Sequence, residues 1–263
     1  MTAQADAPRL SVILITRDES RNVLGCLRSV NFADEWIVVD SGSSDDTCAQ
    51  ARAFGATVVQ AADWQGFGVQ KNRALALARG DWVLSIDADE RVTEPLAAEI
   101  RRVIAGGVQG SAAGYEINRL SSFCGQWMRH GDWYPDRVLR LFRRASGRFS
   151  DDRVHERLML QGPVARLQSH MTHETMRGLD DAIDKMNRYS AGRAVDRVRA
   201  GKRGSLASAL GHGLWAFCRG YFFKRGFLDG RLGFVLAIYV AEGTYYRYLK
   251  MWLLGRDAGK TAN

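Results

Sequence analysis

The sequence predicts an α/β fold whose first half is Rossmann-like, with parallel strands and helices between them. In the first hundred residues, short apolar runs rich in Val and Ile alternate with stretches whose apolar residues recur at helical spacing. The strand-like runs are apolar at nearly every position, which is typical of strands that are covered on both faces. Strands that alternate with helices in this way form βαβ units and hence a parallel sheet.

The predicted elements follow one another from the amino terminus. Strands are predicted over residues 10–15, 35–40, 57–60 and 81–87, and helices over residues 19–30, 46–54 and 69–80. Gly55 follows the second helix and suits the left-handed conformation in which helices often end. Thr93 is predicted to cap a further helix, in whose first turn Pro95 is tolerated.

The composition indicates a folded, globular protein with an excess of positive charge. The chain has 263 residues, of which 46% are hydrophobic and seven are Trp, enough for one sizeable core or for a core domain with a smaller appendage. The 37 Lys and Arg outnumber the 29 Asp and Glu, which gives a formal net charge of +8. This excess favours an acidic partner and leaves open a nucleic acid, an anionic membrane surface or a phosphorylated substrate.

Cysteine usage and the amino terminus indicate the compartment. Cys26, Cys48, Cys124 and Cys218 are scattered without C-x-x-C spacing, so we interpret them as small core residues in a reducing compartment. The first ten residues contain no apolar segment behind a basic start, and no secretory signal is predicted. We therefore expect the protein in the cytoplasm.

Three polar clusters lie where predicted strands end. They are Thr16-Arg17-Asp18, Asp40-Ser41-Gly42-Ser43 and Asp87-Ala88-Asp89, the last followed by Glu90. Because open parallel sheets bind ligands beyond the carboxyl ends of their strands, we expect the clusters to converge on one edge. Two aspartates one residue apart suit Mg²⁺ or Mn²⁺, which binds one or two carboxylates together with phosphate oxygens. The alternative is a solvated acidic turn, and the position after the fourth strand favours the metal.

The stretch VVDSGSSDDT has two interpretations. It can be a loop that only caps the following helix, or Asp40 can accept hydrogen bonds from a base or a ribose; its place at the end of a buried strand favours binding. No G-x-x-x-x-G-K-[ST] and no G-x-G-x-x-G motif follows the first strand. A P-loop or a dinucleotide site is therefore not predicted.

Taken together, these stretches resemble the family 2 glycosyltransferases, inverting enzymes of the GT-A fold. The matching pieces are SVILITRDE, VVDSGSSDDT, GFGVQKNRALALARGDWVLSIDADE and RGFLDGRLGFVLA, which span most of the chain. The resemblance implies a nucleotide-diphospho-sugar transferase fold with a divalent metal. It places the nucleotide base near Thr16, Arg17, Glu19 and Asp40, the phosphates near Lys71, the ribose near Asp87 and the metal at Asp89. Ser41 and Ala88, beside two of these aspartates, are assigned to the same substrate site.

A narrower resemblance is to the lipopolysaccharide core glycosyltransferases that add a glucose to the first heptose of the inner core. WYPDRVLRLFRR, the following VHE and the RGFLDG tail carry it. It implies a UDP-hexose donor, with glucose as the sugar, and a lipopolysaccharide core or other glycolipid acceptor. The family's frequent Glu-Asp pair, which supplies its catalytic base, is absent as such, and His155-Glu156 takes its place in the order of motifs. We therefore predict Glu156 as the general base and His155 as a substrate contact, with Asp151 or Asp152 as the next candidates for the base.

The middle of the chain is rich in arginine. Between Arg119 and Arg157 there are nine Arg and no Lys, interleaved with aromatic residues. Arginine suits planar, bidentate recognition of phosphate or carboxylate, so Arg137 and Arg140 are predicted to contact the acceptor or the diphosphate. An ordinary solvated surface explains the pattern equally well. RNA binding fits the charge, but no nucleic-acid signature accompanies it, and no nucleic-acid partner is expected.

The carboxyl-terminal part combines aromatic residues with positive charge. From Lys202 to Trp252 it has eight Lys and Arg against Asp229 and Glu242, and its longest apolar run, LGFVLAIYVA, is ten residues, short of the ~20 that a spanning helix requires. We predict an amphipathic helical segment that lies on an anionic membrane, at the inner face of the cytoplasmic membrane. The alternative is a pair of helices packed on the core.

The predicted organisation is a catalytic domain over residues 1–200, followed by this segment over residues 201–263. The nucleotide-sugar half covers about residues 8–110 and the acceptor half residues 111–200. The predicted function is metal-dependent, inverting transfer of a hexose from a nucleotide sugar to a membrane-borne glycolipid. Two other functions stay open. One is a sugar nucleotidyltransferase, whose Gly-rich, Lys-containing loop is missing here, and the other is a non-catalytic membrane-binding or nucleic-acid-binding protein with a vestigial site.

Overall fold

The computed structural model describes residues 9–106, 112–150 and 156–260, with residues 257–260 described by their backbone alone. The chain forms two compact units, Met1–Arg119 with Arg137–His173, and Leu120–Asp136 with Glu174–Asn263. The predicted division at residue 200 does not coincide with these units, because the helix that precedes it belongs to the second one. As a division between catalytic and accessory roles it stays a prediction.

The described residues contain eleven strands and seven α-helices. The strands are β1 Leu10–Thr16, β2 Glu35–Asp40, β3 Thr57–Gln60, β4 Trp82–Ser85, β5 Glu90–Val92, β6 Gly114–Phe123, β7 Gln126–Trp127, β8 Asp136–Arg143, β9 Gly147–Phe149, β10 Leu158–Leu160 and β11 Val164–Met176. The helices are α1 Val23–Ser29, α2 Thr47–Phe54, α3 Phe67–Leu77, α4 Glu94–Ala105, α5 Leu179–Arg199, α6 Leu206–Cys218 and α7 Gly230–Lys260. A π-helical turn over Arg219–Phe223 follows α6, and a 3-10 turn over Gly226–Asp229 precedes α7.

The first unit is built on a mixed sheet with the predicted parallel half. The strand order is β3-β2-β1-β4-β8-β6-β11-β5, in which β1 pairs in parallel with β2 and β4, and β2 with β3. β4 pairs antiparallel with β8, and β11 with β5. The chain runs outward from β1 to β3 and returns to β4 on the other side of β1, so the strand order reverses there. The register sets Thr16 beside Asp40 at the carboxyl ends of β1 and β2, where an open α/β sheet binds its ligands.

The core of the first unit lies on both faces of this sheet, as its apolar strands predict. Val12 of β1 belongs to a buried cluster with Leu27 of α1 and Leu96 of α4, whereas Ile13 belongs to a second cluster with Ala74 of α3. Neighbouring residues of a strand point to opposite faces, so helices cover the sheet on both sides. Each buried Val, Leu or Ile side chain of these clusters stabilises the fold by roughly 1.5–3 kcal/mol.

Two helices are shorter than predicted. α1 begins only at Val23, after a hydrogen-bonded turn. α3 ends at Leu77 and not at Gly80, because the carboxylate of Glu35 accepts hydrogen bonds from the amides of Arg79 at 2.6 Å and Gly80 at 3.2 Å. A charged side chain from a distant strand thus ends this helix, and no local pattern indicates it.

Two details at the acidic strand end differ from the prediction. The fourth strand ends at Ser85, and an unpredicted strand, β5, begins at Glu90 and pairs with β11. Thr93 precedes α4 but gives it no side-chain cap; its hydroxyl donates instead to the carbonyl of His170 on β11 at 2.7 Å. Pro95 lies in the first turn of α4, as predicted. β11, which is distant in sequence, is the partner in both cases: it pairs with β5 and accepts the hydrogen bond from Thr93.

The second unit is mainly helical. α6 packs along α7, and Gly213 lets the two helices approach, since a Cβ there would lie 3.2 Å from the Cβ of Tyr245. α5 also packs on α7. Ring contacts join the buried Phe123 to Trp133 and Tyr239, at centroid distances of 5.7 and 5.6 Å. Among the helices of the described ranges, none combines the length and the apolar run that crossing a membrane requires.

Candidate active site at the carboxyl ends of the parallel strands

The loop after β2 is built around the carboxylate of Asp40. One oxygen accepts hydrogen bonds from the hydroxyls of Thr16 at 2.9 Å and Ser43 at 2.5 Å, and the other accepts from the amides of Gly42 at 3.1 Å and Ser43 at 2.8 Å. Burial alone would raise the pKa of Asp40, but these hydrogen bonds outweigh it and hold the pKa below its usual value. These four hydrogen bonds occupy all of the about four acceptor positions of the carboxylate. Asp40 therefore shapes this loop, and its contact with a nucleotide base stays a prediction.

The other residues predicted to bind the nucleotide base lie around this loop. Ser41 is buried, and its hydroxyl accepts a hydrogen bond from the side-chain amide of Gln70 on α3 at 2.8 Å. The carboxylate of Glu19 accepts from the side-chain amide of Asn22 at 2.7 Å, whereas Arg17 is exposed. Gln70 thus ties α3 to the end of β2. Arg17 is the member of the group with the most freedom to reach a ligand.

Asp87, in the acidic segment after β4, is already paired with cations of the protein. It forms an ion pair with Arg140 of β8, and its other oxygen lies 3.5 Å from the ammonium of Lys71 on α3. Burial would raise the pKa of Asp87, but the charges of Arg140 and Lys71 outweigh it and hold the pKa well below its usual value. Asp87 is therefore a carboxylate at neutral pH, and its oxygens can accept hydrogen bonds such as those predicted from ribose hydroxyls.

Glu90 is fully buried and is held by two arginines. Its carboxylate accepts hydrogen bonds from Arg140 at 2.6 Å, from Arg119 at 3.2 Å and from the amide of Asp87 at 2.9 Å. Burial would lower the pKa of Arg140, yet its two carboxylate partners raise it. Ionised groups are stable in a protein interior only when they are paired and hydrogen-bonded. Asp87 and Glu90 therefore share Arg140, and Glu90 serves as counter-ion to two arginines.

Lys71 joins the acidic segment to the predicted base. Its ammonium lies 2.8 Å from the carboxylate of Glu156 and 3.5 Å from that of Asp87, and its side chain is buried. Asn72, the next residue of α3, exchanges two hydrogen bonds of 2.9 Å with the backbone of Phe149 at the end of β9. The chain that leads to Glu156 is thereby attached to α3. The sequence analysis predicts no role for Asn72, although this residue lies in the stretch GFGVQKNRALALARGDWVLSIDADE.

Gly68 allows α3 to approach this part of the chain. A Cβ at this position would lie 1.8 Å from the carbonyl oxygen of Ser150 and 3.4 Å from the Cβ of Glu156. Any side chain would therefore push the segment away from the helix, one turn before Lys71. Gly68 precedes the helix predicted over residues 69–80, so the sequence alone provides no signal for this close approach.

Asp89 lies apart from these ion pairs and faces a histidine. Its carboxylate is 3.2 Å from Nε2 of His173 on β11. That distance fits two neighbouring ligands of an octahedral ion, which stand about 3 Å apart when each bond is about 2.1 Å. A carboxylate suits Mg²⁺ and Mn²⁺. Within the described part of the chain no three His, Cys, Asp or Glu side chains form a possible metal site, so phosphate oxygens or water would complete the shell.

The remaining residues that the sequence predicts to contact substrate differ in their exposure. Arg140 lies in the site as a buried partner of two carboxylates, whereas Arg137 of β8 is exposed. Ala88 is buried beside the acidic groups. His155 lies outside the described residues, as do the two further candidates for the base. The roles of these residues in substrate binding stay predictions.

The strand order reverses beside this group of carboxylates and Lys71, which is where open α/β sheets bind their ligands. Residues 11–155 match the model of glycosyl transferase family 2. An uncharacterized glycosyltransferase of Rickettsia conorii is 31% identical to this chain over 97% of the chain and 93% of that protein. The chain therefore belongs to family 2 of the glycosyltransferases. Its fold is the GT-A nucleotide-sugar transferase fold, as predicted.

Further similarities are more distant. The lipopolysaccharide core biosynthesis glycosyltransferase LpsC of Rhizobium meliloti is 28% identical over 91% of this chain and 93% of that protein. Among solved structures, mannosyl-3-phosphoglycerate synthase from Rubrobacter xylanophilus is 26% identical over 43% of this chain and 41% of that chain, with a TM-score of 0.37. Glucosyl-3-phosphoglycerate synthase from Mycobacterium tuberculosis, in complex with Mn²⁺, UDP-glucose and phosphoglyceric acid, is 28% identical over 43% of this chain and 44% of that chain, with a TM-score of 0.35. Each of these two matches spans less than half of the solved chain.

Proposed function

We propose that the protein is an inverting glycosyltransferase that moves a hexose, with glucose as the predicted sugar, from a UDP-sugar to a lipopolysaccharide core or other glycolipid. The observation that carries the proposal is the position of Lys71, 2.8 Å from Glu156 and 3.5 Å from Asp87. A carboxylate suited to act as base is thereby held beside the strand ends, where an α/β transferase binds its donor. The lipopolysaccharide acceptor is supported by the similarity to LpsC, whose name states a role in lipopolysaccharide core biosynthesis.

In the proposed reaction, Glu156 takes the proton of the acceptor hydroxyl while the hydroxyl oxygen attacks the anomeric carbon. The bond between that carbon and the diphosphate oxygen breaks, and UDP leaves with the electron pair. Attack from the face opposite UDP inverts the anomeric configuration. Lys71 holds the Glu156 carboxylate in place through their 2.8 Å contact. A positioned general base contributes about 10²–10⁴-fold to the rate.

The proposed cofactor is Mg²⁺ or Mn²⁺, held by Asp89 and His173. When bound, the metal supplies positive charge that neutralises the diphosphate of the leaving nucleotide. The two ligands come from different parts of the sheet, Asp89 from the loop after β4 and His173 from β11. Their 3.2 Å separation supports this assignment. Arg137, Arg17 and the Asp40 loop are proposed to contact the donor or the acceptor.

We also propose that the protein meets its acceptor at the inner face of the cytoplasmic membrane, as a peripheral protein. A glycolipid acceptor is confined to the bilayer, so an enzyme that shares this surface searches for it in two dimensions. Six Lys and Arg lie between residues 202 and 231, and each favours an anionic lipid surface.

Release of UDP tests the proposed reaction. The full-length protein is incubated with UDP-glucose, Mn²⁺ and a lipopolysaccharide core acceptor that lacks the hexose, and free UDP is measured over time. We expect release that depends on the acceptor. Glu156→Gln keeps the shape of the side chain but cannot take a proton, so the rate should fall about a hundredfold while UDP binding is unchanged.

The matched control is Glu116→Gln, which removes the charge of a glutamate paired with the exposed Arg166 in the same unit. This variant should retain the rate of the wild type. Release of pyrophosphate in place of UDP would identify a nucleotidyltransferase instead. A Glu156→Gln variant with nearly normal turnover would show that another group is the base.

A further inference from the structure

Helix α6 is apolar on both of its sides. It contains no charged residue, and Ala209, Gly213 and Ala216 are buried along the side that packs on α7. The opposite side carries Leu210 and Leu214, which are 58% and 67% exposed. A helix that is apolar all round is normally buried. The outward side of α6 therefore requires a cover that the described residues of this chain do not provide.

The apolar surface continues from α6 into the turns that follow it. We call six exposed side chains of this surface the aromatic patch: Leu214, Trp215, Phe222, Phe223, Phe227 and Phe234. Ring contacts connect its parts, since Trp215 lies 5.6 Å from Phe223, and Phe217 lies between Phe222 at 6.1 Å and Phe234 at 5.8 Å. Phe223 is 71% exposed. Continuous exposed apolar surfaces are uncommon in soluble monomers and mark sites of interaction with proteins or membranes.

The exposed charges near the patch in sequence are positive. Between residues 202 and 231 the chain has six cationic side chains, all exposed: Lys202, Arg203, Arg219, Lys224, Arg225 and Arg231. The single acidic residue of this range, Asp229, is buried against His130, whose amide donates to it at 2.8 Å. Asp132, which pairs with Arg219 and Lys224, has a side chain only 8% exposed. This range therefore presents an apolar and cationic surface without an exposed carboxylate of its own.

We propose that the aromatic patch docks the protein on a bilayer that contains anionic phospholipid, with its rings at the headgroup boundary and the cations over the lipid phosphates. Trp and Phe on a basic helical surface suit this boundary. Each Lys or Arg near an anionic surface strengthens binding about fivefold. α6 has 13 residues and is about 20 Å long, less than the ~30 Å of a hydrocarbon core, so it lies in the interface. The inference deepens the proposed function, whose acceptor is a membrane lipid, by naming the surface that binds the membrane.

A second copy of the chain fits the patch less well than lipid does. In a two-fold dimer built on this surface, the cations next to the patch in one protomer would come close to those of its partner, because such an interface uses the same surface twice. Like charges placed opposite each other weaken association. An anionic bilayer suits both features of the surface, because its phosphates carry the opposite charge to the cations and its headgroup boundary accepts the aromatic rings.

Vesicle flotation tests the proposal with the full-length protein, in the absence of donor and acceptor. Vesicles of phosphatidylcholine, with and without phosphatidylglycerol, are floated through a density gradient. We expect the anionic vesicles to carry at least about tenfold more protein than the neutral ones, and the difference to shrink at high salt. Phe223→Glu should lower the bound fraction about tenfold or more, and Arg225→Gln about fivefold.

The matched control is Leu77→Glu, which puts the same charge on an exposed position of α3 in the first unit. It should float like the wild type. The proposal is overturned if the wild type stays unbound with anionic vesicles, or if Phe223→Glu floats as well as Leu77→Glu. A dimer in sedimentation equilibrium that Phe223→Glu dissociates, without any flotation, would assign the patch to self-association. Normal flotation without UDP release counts against the proposed reaction and leaves the docking surface in place.

Discussion

Replacing Glu90 by Gln is expected to destabilise the protein by about 3 kcal/mol. Glu90 is fully buried, and Gln has nearly the same shape, so the change removes a charge without opening a cavity. One oxygen of Glu90 accepts from Arg140 and Arg119, and the other accepts from the amide of Asp87. The NH₂ group of Gln must replace one of these oxygens, so at least one donor then faces another donor.

The expected magnitude follows from the charges that remain. Removing one partner of a buried ion pair costs about 3–5 kcal/mol, because the other charge is left without compensation. Arg140 retains Asp87 as a second carboxylate partner, which places the cost at the lower end of that range. With a denaturant slope of about 3 kcal/mol per M, the urea midpoint should fall by about 1 M.

The assay is urea unfolding of the full-length chain at neutral pH, followed by circular dichroism. Glu116→Gln is the control, because Glu116 pairs with an exposed guanidinium, that of Arg166, and an exposed pair contributes less than about 1 kcal/mol. If Glu90→Gln and Glu116→Gln unfold at the same urea concentration, Glu90 is not the counter-ion that stabilises the two arginines.

Three further outcomes are expected. His173→Gln or Asp89→Ala should abolish the gain in UDP affinity that Mn²⁺ gives the wild type, measured by calorimetry with metal and with EDTA; an undiminished gain would place the metal elsewhere. Lys71→Met should lower UDP release at neutral pH at least about tenfold, because Glu156 loses the contact that holds it in position. An unchanged rate would show that Lys71 does not position the base. The folded-state pKa of Asp40 is depressed, so its contribution to the free energy of unfolding is present above its unfolded pKa of about 3.9 and is lost as the pH falls through the folded value. The stability difference between the wild type and Asp40→Asn should therefore shrink between neutral pH and about pH 3 in urea titrations, and a constant difference would contradict this.

The parallel half of the fold was predictable because its signals are local. β2 covers the predicted residues 35–40, and Gly55 ends α2 in the left-handed conformation with φ of 105°. An apolar run and a glycine are each visible within a few residues. The antiparallel strands depend on distant partners: β5 has three residues and exists because β11 pairs with it. The end of α3 likewise depends on Glu35, which comes from another strand.

The candidate site could be located from the sequence, but its pairings could not. The carboxylates of Asp87, Asp89 and Glu90 are chemically alike, so no local pattern tells which cation each one takes. In the structure Asp87 pairs with Arg140 and Lys71. Asp89 lies beside His173, and Glu90 pairs with Arg140 and Arg119. These partners come from α3, β8, β11 and the middle of β6, which only the folded sheet brings together.

The same pairings explain why a metal is expected at a site that already contains cations. Three cationic and three anionic side chains balance one another there: Lys71, Arg140 and Arg119 against Asp87, Glu90 and Glu156. A diphosphate adds negative charge to this balance. If Lys71 left Glu156 for a phosphate, the proposed base would lose the contact that holds it in position. A divalent cation held by Asp89 and His173, as proposed, would neutralise the diphosphate from outside the balanced group, so that the donor could bind while the contact between Lys71 and Glu156 stays intact.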